Sequence, residues 1–250
     1  MVSSLCRGWF FRITADNLTI KGSGVDKTVI YGDTPVINGD WATMDLVLVE
    51  GNNVSFEGIT FMPNEREPNK TIEVMAKNTS ITNCSFKPNK FDTDYFKNAT
   101  YGGSLYFNGG ALNNLVDLGT VFIKNNYFSY SSVCFDSAGK ADSIMINDNE
   151  FENIGVDYYA IGNTCWSNPP VVNMATLYIN DNKFTANVGE ILLKNRLNGE
   201  FVLNGTNNIN NVFVKDISKE NLSKYLLIKP RSGLEDVVNH AKIIINDIEF

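Results

Sequence analysis

The chain has no glutamine, one histidine and four cysteines among its 250 residues. The cysteines are Cys6, Cys84, Cys134 and Cys165, and none of them has the Cys-x-x-Cys spacing of zinc or redox sites. With His240 as the one histidine, a zinc site is not expected, and no metal ligands are assigned. The sequence also lacks a run of about eighteen apolar residues, so no membrane insertion is expected.

Positive charge is scarce as well. Lysine and arginine number 21 against 28 aspartates and glutamates, and the net charge is −7. Nucleic acid and anionic membrane surfaces repel a protein with this balance, so neither is expected as a partner. Hydrophobic residues make up 43% of the chain and charged residues 20%, which is enough apolar material for a sizeable core.

A repeated eight-residue phrase is the strongest positive signal. It reads apolar, any, apolar, any, any, then asparagine or a small or apolar residue, any, phenylalanine. Six copies span residues 54–61, 79–86, 121–128, 144–151, 177–184 and 243–250. Two looser copies span residues 18–25 and 201–208. Because one such unit cannot bury its apolar face alone, the copies must stack on one another.

The period of the phrase predicts the fold. Apolar residues two positions apart indicate strands, and asparagine or glycine follows where the chain must turn. Neighbouring copies are 25 residues apart from Phe61 to Phe86 and 23 from Phe128 to Phe151, and longer steps leave room for loops. A second strand is predicted before most copies, at residues 46–50, 71–76, 105–108, 133–136 and 190–194. We therefore predict an all-β fold, a single-stranded right-handed parallel β-helix of about eight coils with roughly 23–25 residues each plus loop insertions.

Two slots of the phrase predict columns inside the solenoid. Asn126, Asn149 and Asn182 fill the sixth slot, where we expect left-handed backbone at the bend and amides that hydrogen-bond up the stack. The phenylalanine of the eighth slot is expected to point inward and form an aromatic column. Both columns are predicted to be scaffold and not ligand contacts.

The repeat extends over residues 1–250 as one domain, and residues 209–242 are predicted to be an irregular or partly helical excursion. Its expected helices are Ser218–Leu227 and Leu234–His240. Ile243–Phe250 repeats the phrase with no capping element, and bare solenoid ends expose sheet edges. We therefore expect a segment of a longer protein, or end-to-end contact with missing domains or another copy.

Several segments also carry a family resemblance. They are Leu18–Gly24, Val49–Phe61, Thr79–Phe86, the sequence Asp92-Thr93-Asp94-Tyr95, and Gly102–Gly109. Together they resemble the pectin methylesterase and wider pectate-lyase-like family of β-helix proteins. The resemblance implies a secreted or cell-surface location and a polysaccharide partner.

The catalytic residues of those esterases are mostly missing. Asp92 matches the position of the general acid, but Phe91 stands where an oxyanion glutamine is expected. Leu105 falls where the resemblance places the nucleophilic aspartate, and an apolar side chain cannot attack an ester. Methylesterase activity is therefore not expected.

A lyase is the alternative enzyme, and its cofactor would be calcium, which takes six to eight oxygen ligands. The candidate catalytic residues are Asp92, Asp136 and Arg196. If the strands stack in register, Glu73, Tyr106, Asp136 and Lys194 or Arg196 share one outer face.

Aromatic residues outside the inward slots predict a binding surface instead. Sugar rings stack their apolar faces on tyrosine and tryptophan, and polar neighbours bind the hydroxyls. The candidate ligand-binding residues are Tyr95, Tyr106, Tyr158, Tyr159, Trp166 and Glu73. We favour a non-catalytic β-helix module that needs no cofactor and binds polysaccharide, over the lyase, because no complete catalytic set can be written down.

Overall fold

Most strands of the chain lie in three long sheets. The structure is a computed structural model, and it describes residues 8–32, 36–37, 40–41, 44–62, 70–87, 103–111, 114–136, 140–154, 159–164, 176–186, 193–195, 200–228 and 242–250. Sheet I contains, in spatial order, Gly8–Ile13, Met44–Val49, Lys70–Val74, Gly103–Asn108, Val133–Asp136, Ile161–Thr164, Leu193–Asn195 and Leu226–Ile228. Sheet II contains Thr19–Lys21, Ser55–Glu57, Ser80–Thr82, Asp117–Lys124, Lys140–Asn147, Thr176–Asn180, Glu200–Asn204, Lys242–Ile245 and Ile248–Glu249. Sheet III contains Val29–Tyr31, Thr60–Met62, Ser85–Phe86, Tyr127–Ser129, Glu150–Ile154, Lys183–Ala186, Asn208–Ile209 and Val212–Phe213. Two short hairpins pair Val36–Ile37 with Asp40–Trp41 and Gly110–Ala111 with Asn114–Leu115.

The chain visits the three sheets in a fixed order, I, II, III, and then returns to sheet I. We call one such circuit a rung. Each strand lies parallel to its counterpart in the next rung, as Thr19–Lys21 does to Ser55–Glu57, which in turn pairs with Ser80–Thr82. This topology is consistent with a parallel β-solenoid and confirms the predicted all-β stack of parallel strands.

Phenylalanines of the eighth slot form the predicted aromatic column. Phe61, Phe86, Phe128, Phe151 and Phe184 are fully buried on sheet III. Successive ring centroids are 5.1, 4.8, 4.7 and 5.1 Å apart, and the planes differ by only 6–12°. Each parallel register pair thus sets one ring on the next, and the column extends the core along the stack.

The sixth-slot asparagines form a buried ladder beside this column. The Oδ1 atom of Asn149 accepts hydrogen bonds from the backbone N and Nδ2 of Asn126, at 2.9 and 3.0 Å. Asn149 and Asn182 repeat the same pair of bonds, and Asn207 continues the ladder below them. Each Nδ2 also donates to a backbone carbonyl, as Asn149 does to Ile123. The predicted amide column is therefore confirmed.

The reason predicted for these asparagines is wrong. The left-handed backbone lies one residue earlier, at Gly58, Asn83, Asn125, Asp148 and Asp181, with φ between 53° and 65°. The bend is complete before the ladder residue, whose amide is then free to point into the core. A second left-handed corner, which the phrase did not predict, lies one or two residues before four copies of the phrase, at Asn17, Asn53, Asn78 and Gly119.

Substitution of Asp148 tests the left-handed corner. A β-branched side chain at φ 56° clashes with the backbone, so Asp148→Val is expected to destabilise the protein by about 1–2 kcal/mol. Asp148→Gly should cost little, because the ion pair with Lys124 is long, at 3.4 Å, and half exposed. Chemical denaturation of both variants measures the difference. Equal losses for valine and glycine would mean that the carboxylate matters and the φ angle does not.

The last phrase differs from its prediction. Lys242–Ile245 does lie parallel to sheet II, but Ile248–Glu249 folds back antiparallel to it through Asn246 and Asp247, both at positive φ. Sheet III ends in the same way, where Val212–Phe213 pairs antiparallel with Asn208–Ile209. Asn-Asp and Asn-Asn are residues that two-residue hairpin turns favour. Two sheets thus end in antiparallel hairpins, and the prediction that the last phrase repeats the parallel pattern is wrong in its second half.

The helix predicted at Ser218–Leu227 is also absent. The described part of this excursion holds two 3-10 turns, Val214–Asp216 and Leu222–Lys224, and then the strand Leu226–Ile228. Val214, Ile217 and Leu226 are buried against the core, so the tertiary contacts replace a helix. The helix predicted at Leu234–His240 lies outside the described residues.

Candidate functional site: the outer face of sheet I

Register pairing brings a set of side chains onto the outer face of sheet I. Val47, Ile72, Leu105 and Val133 alternate with them and point into the core. The outward column consists of Leu48, Glu73, Tyr106, Cys134 and Gly162, each paired with the next across parallel strands. This outer face includes Glu73 and Tyr106, as the sequence predicted, and the backbone of Lys194 pairs in register with Gly162 on the next strand.

Glu73 is the buried acid of this face, with only 4% of its surface exposed. Its Oε1 atom accepts hydrogen bonds from Lys70 Nζ at 2.7 Å and from Asn108 Nδ2 at 2.8 Å. Lys70 Nζ also lies 4.4 Å from the centroid of the Tyr106 ring. A buried carboxylate persists only when it is paired and hydrogen-bonded, and these two partners supply both conditions. The Tyr106 ring therefore lies beside the ion pair of Lys70 and Glu73.

Tyr159 covers the next part of the face. Its hydroxyl donates to Cys134 Sγ at 3.4 Å, and its ring lies directly over Gly162. A Cβ atom at Gly162 would come within 2.2 Å of Tyr159 Cε2, so only glycine leaves room for the ring here. Tyr106 and Tyr159 thus adjoin the same buried thiol from two rungs.

Gly162→Ala tests this packing. The added methyl group must displace the Tyr159 ring, which exposes Cys134, so we expect alkylation of Cys134 to become faster by about tenfold or more. Peptide mapping by mass spectrometry after timed alkylation measures the rate. Tyr159→Phe retains the ring and should leave Cys134 protected. An unchanged rate in Gly162→Ala would contradict the arrangement.

Cys84 provides an internal reference for that experiment. Burial raises the pKa of the Cys84 thiol to about 11, so at neutral pH almost no thiolate is present. Its alkylation should stay slow in every variant and rise only when the pH approaches that value.

The other predicted site residues divide into two groups. Asp136 lies on the sheet I strand Val133–Asp136, where it pairs in register with Asn108 and Thr164, two positions along from Cys134. It is therefore near the end of that strand and not in register with Glu73. The remaining predicted residues, Asp92, Tyr95, Tyr158, Trp166 and Arg196, lie outside the described residues.

Five members of the face were not predicted: Leu48, Lys70, Asn108, Cys134 and Gly162. A usable signal exists for Asn108 and Cys134, because both lie at outward positions of strands that the sequence did predict. Lys70 begins its strand three residues before Glu73, and this spacing could also have indicated the ion pair. Leu105, where the resemblance placed a nucleophile, is fully buried between Ile72 and Val133.

A groove lies at the corner between sheets II and III. This groove has a volume of about 510 Å³ and is lined by charged and polar groups that include Asp26, Lys87, Tyr127, Asp148 and Glu150. Those charges are already matched. Lys87 pairs with Asp26 at 3.0 Å, and Glu150 is bonded to Lys183. Tyr127 donates to Glu152 at 2.8 Å, and burial and this bond raise the pKa of Tyr127. The groove is therefore a set of surface ion pairs across rungs.

No cluster of three or more histidine, cysteine, aspartate or glutamate side chains that could hold a metal ion occurs in the described ranges. Within those ranges there is also no helix with the length and apolar character needed to cross a bilayer. No protein-family model, curated protein or solved structure matches the chain.

Proposed function

We propose that the chain is a polysaccharide-binding module that binds its ligand on the outer face of sheet I. In this proposal the solenoid is a right-handed β-helix of about eight coils, like the pectate-lyase-like proteins that the sequence resembles. The module belongs to a secreted or cell-surface protein, because polysaccharide partners are found there. The observation that carries the proposal is the placement of Tyr106 and Tyr159 around Cys134, next to the cluster of Lys70, Glu73 and Asn108.

This arrangement has the two features that sugar recognition needs. Tyrosine rings offer an apolar surface on which the C–H face of a sugar can stack. The neighbouring Lys70 and Asn108 side chains, which are partly exposed, can donate hydrogen bonds to sugar hydroxyls or a uronate carboxylate. Tyr106 lies on a sheet I strand, and the Tyr159 ring is held over Gly162 by its hydroxyl bond to Cys134, so little conformational entropy is lost when the ligand binds.

Affinity electrophoresis and calorimetry against neutral and uronate polysaccharides test the proposal. Tyr106→Ala and Tyr159→Ala are each expected to weaken binding about tenfold, which corresponds to roughly 1.4 kcal/mol. Tyr178→Ala is the matched control, since Tyr178 lies on sheet II and is 40% exposed. Absence of binding to every glycan, or an equal loss in the control variant, would contradict the proposal.

A lyase that acts on uronate polymers is the second candidate. It is favoured by the 4.4 Å approach of Lys70 to the Tyr106 ring, since lysine and tyrosine are both groups that can abstract a proton in an elimination. Such a reaction breaks the C–H bond next to the uronate carboxylate and expels the glycosidic oxygen, and a carbon–carbon double bond forms.

Tyr106→Phe separates the two candidates. Phenylalanine retains the stacking surface and has no ionisable hydroxyl, so a binding module keeps its affinity and a tyrosine-based lyase loses turnover. Ultraviolet absorbance of the new double bond, measured with calcium and with a chelator, detects the reaction. We expect no absorbance change in either condition for wild type or variant.

A further inference from the structure

The two ends of the stack are built differently. At the end that holds the last rungs, the inward-facing Ile243 and Ile245 are 1% and 3% exposed, although the hairpin strands above them carry exposed Val212, Phe213 and Ile248. Two 3-10 turns and Phe250 pack against this end of the core. Its core is therefore closed by elements of the chain itself.

The first rung has no such cover among the described residues. Phe11 pairs with the buried Val47 and so points inward, yet 54% of its surface is exposed. Ile13, Ile20 and Ile30, the other inward residues of this rung, are only partly buried against the core. We call this surface, formed by Phe11, Ile13, Leu18, Ile20 and Ile30, the open end.

Three sheet edges surround the open end, formed by Gly8–Ile13, Thr19–Lys21 and Val29–Tyr31. In the sheet II edge, Leu18 O accepts from Ser55 N and Gly22 N donates to Glu57 O, so the alternate residues Thr19 and Lys21 aim their backbone groups away from the stack. In the sheet III edge, Thr28 and Gly32 bond inward and Val29 and Tyr31 aim outward. The outward groups have no strand partner among the described residues, and such edges pair readily with another strand.

Charge does not oppose a contact between two open ends. Arg12 pairs with Glu50, Lys21 with Glu57, and Asp26 with Lys87. Each first-rung charge in these pairs is thus neutralised by a residue of a deeper rung. Two identical surfaces can therefore approach without strong like-charge repulsion, as a self-complementary interface requires.

We infer that the open end is a homodimer interface, in which two copies of this chain stack head to head about a two-fold axis. Stacking head to tail would press the open end against the closed core and its antiparallel hairpin strands, whereas stacking head to head joins two uncovered apolar surfaces of the same shape. A two-fold axis through the middle of sheet I places Gly8–Ile13 antiparallel to its own copy. The same axis exchanges the positions of sheets II and III, so Thr19–Lys21 faces Val29–Tyr31 of the partner subunit. These two strands match in length, because each has 3 residues.

Light scattering after size exclusion tests the inference with the full chain over a wide concentration range. We expect a dimer for wild type and an at least tenfold weaker dimer for Phe11→Lys, which places a charge at the centre of the interface. Thr19→Pro should have a similar effect, because it removes an outward N–H from the open edge. Glu249→Pro is the matched control, since it alters the outermost strand of the closed end, and it should leave the dimer intact.

Hydrogen exchange provides the residue-level result. Thr19, Lys21, Val29 and Tyr31 amides are expected to be protected in wild type and to exchange faster in Phe11→Lys. Circular dichroism of each variant checks that the fold is retained, which is expected because Phe11 is half exposed in the single chain. A monomer at all concentrations would overturn the inference, as would a dimer that Glu249→Pro disrupts and Thr19→Pro does not.

Discussion

Asn149→Ala is expected to destabilise the solenoid by about 4 kcal/mol. Asn149 is 2% exposed, and its amide joins three rungs through bonds to Asn126, Ile123 and Asn182. Alanine leaves the Asn126 N–H without a partner in the core, which costs about 1–3 kcal/mol, and the amide's bonds to Ile123 and Asn182 and its packing volume are lost as well. The denaturant midpoint, followed by circular dichroism and by tyrosine fluorescence, measures the loss.

Two further variants separate the hydrogen bonds from the change in volume. Asn149→Asp retains the shape and the acceptor for Asn126 but has no N–H for Ile123 or Asn182, so it should also be strongly destabilising. Asn180→Ala removes an asparagine of the half-buried outer surface, where water can replace its bond to Asn147, and should cost less than about 1 kcal/mol. Similar losses at Asn149 and Asn180 would show that the ladder has no special role.

Phe128→Ala is expected to cost about 4 kcal/mol. Phe128 is fully buried and stacks on Phe86 at 4.8 Å and on Phe151 at 4.7 Å, so its removal opens a cavity in the middle of the aromatic column. The same denaturation measurement applies. Because each rung contacts only its neighbours, we expect the two halves of the solenoid then to unfold separately and the transition to broaden.

Phe128→Leu and Tyr178→Ala serve as the comparison variants for this prediction. Leucine refills most of the cavity and should recover about half of the loss, whereas the stacking with the neighbouring rings is not restored. Tyr178 lies outside the core with 40% of its surface exposed, so its truncation should cost less than about 1 kcal/mol. A loss at Phe128 no larger than that at Tyr178 would contradict the importance of the column.

The fold was predictable because the same eight-residue phrase is repeated along the chain. Every copy of the phrase places phenylalanine and asparagine at the same register, and parallel stacking follows once the copies must cover one another. Four of the five strands predicted before the phrases, at residues 46–50, 71–76, 105–108 and 133–136, occur within two residues of those bounds. The fifth, at residues 190–194, lies partly outside the described residues, and a strand is present at Leu193–Asn195. Where the repeat weakens, prediction failed, as for the helix at Ser218–Leu227.

The candidate site was predictable only in part. Alternation along a strand places Glu73 and Tyr106 outward, and this follows from the sequence alone. Which residue lies opposite Tyr106 depends on the length of the intervening loops, and the structure pairs it with Cys134 and not with Asp136. The fit of Tyr159 over Gly162 depends on the same register and could not be foreseen from spacing.

The sequence by itself determined that strands would stack in parallel with phenylalanine and asparagine columns inside, because periodic patterns act locally and in every rung alike. Tertiary structure alone decided the register between rungs, the burial of Glu73 between Lys70 and Asn108, and the closing hairpins at one end. The register and the bond between Glu73 and Asn108 depend on contacts between residues far apart in the chain, whereas each hairpin forms across a two-residue turn in a segment that the phrase would also allow to continue as a parallel strand. Loop lengths and side-chain packing, which no local pattern encodes, set such contacts.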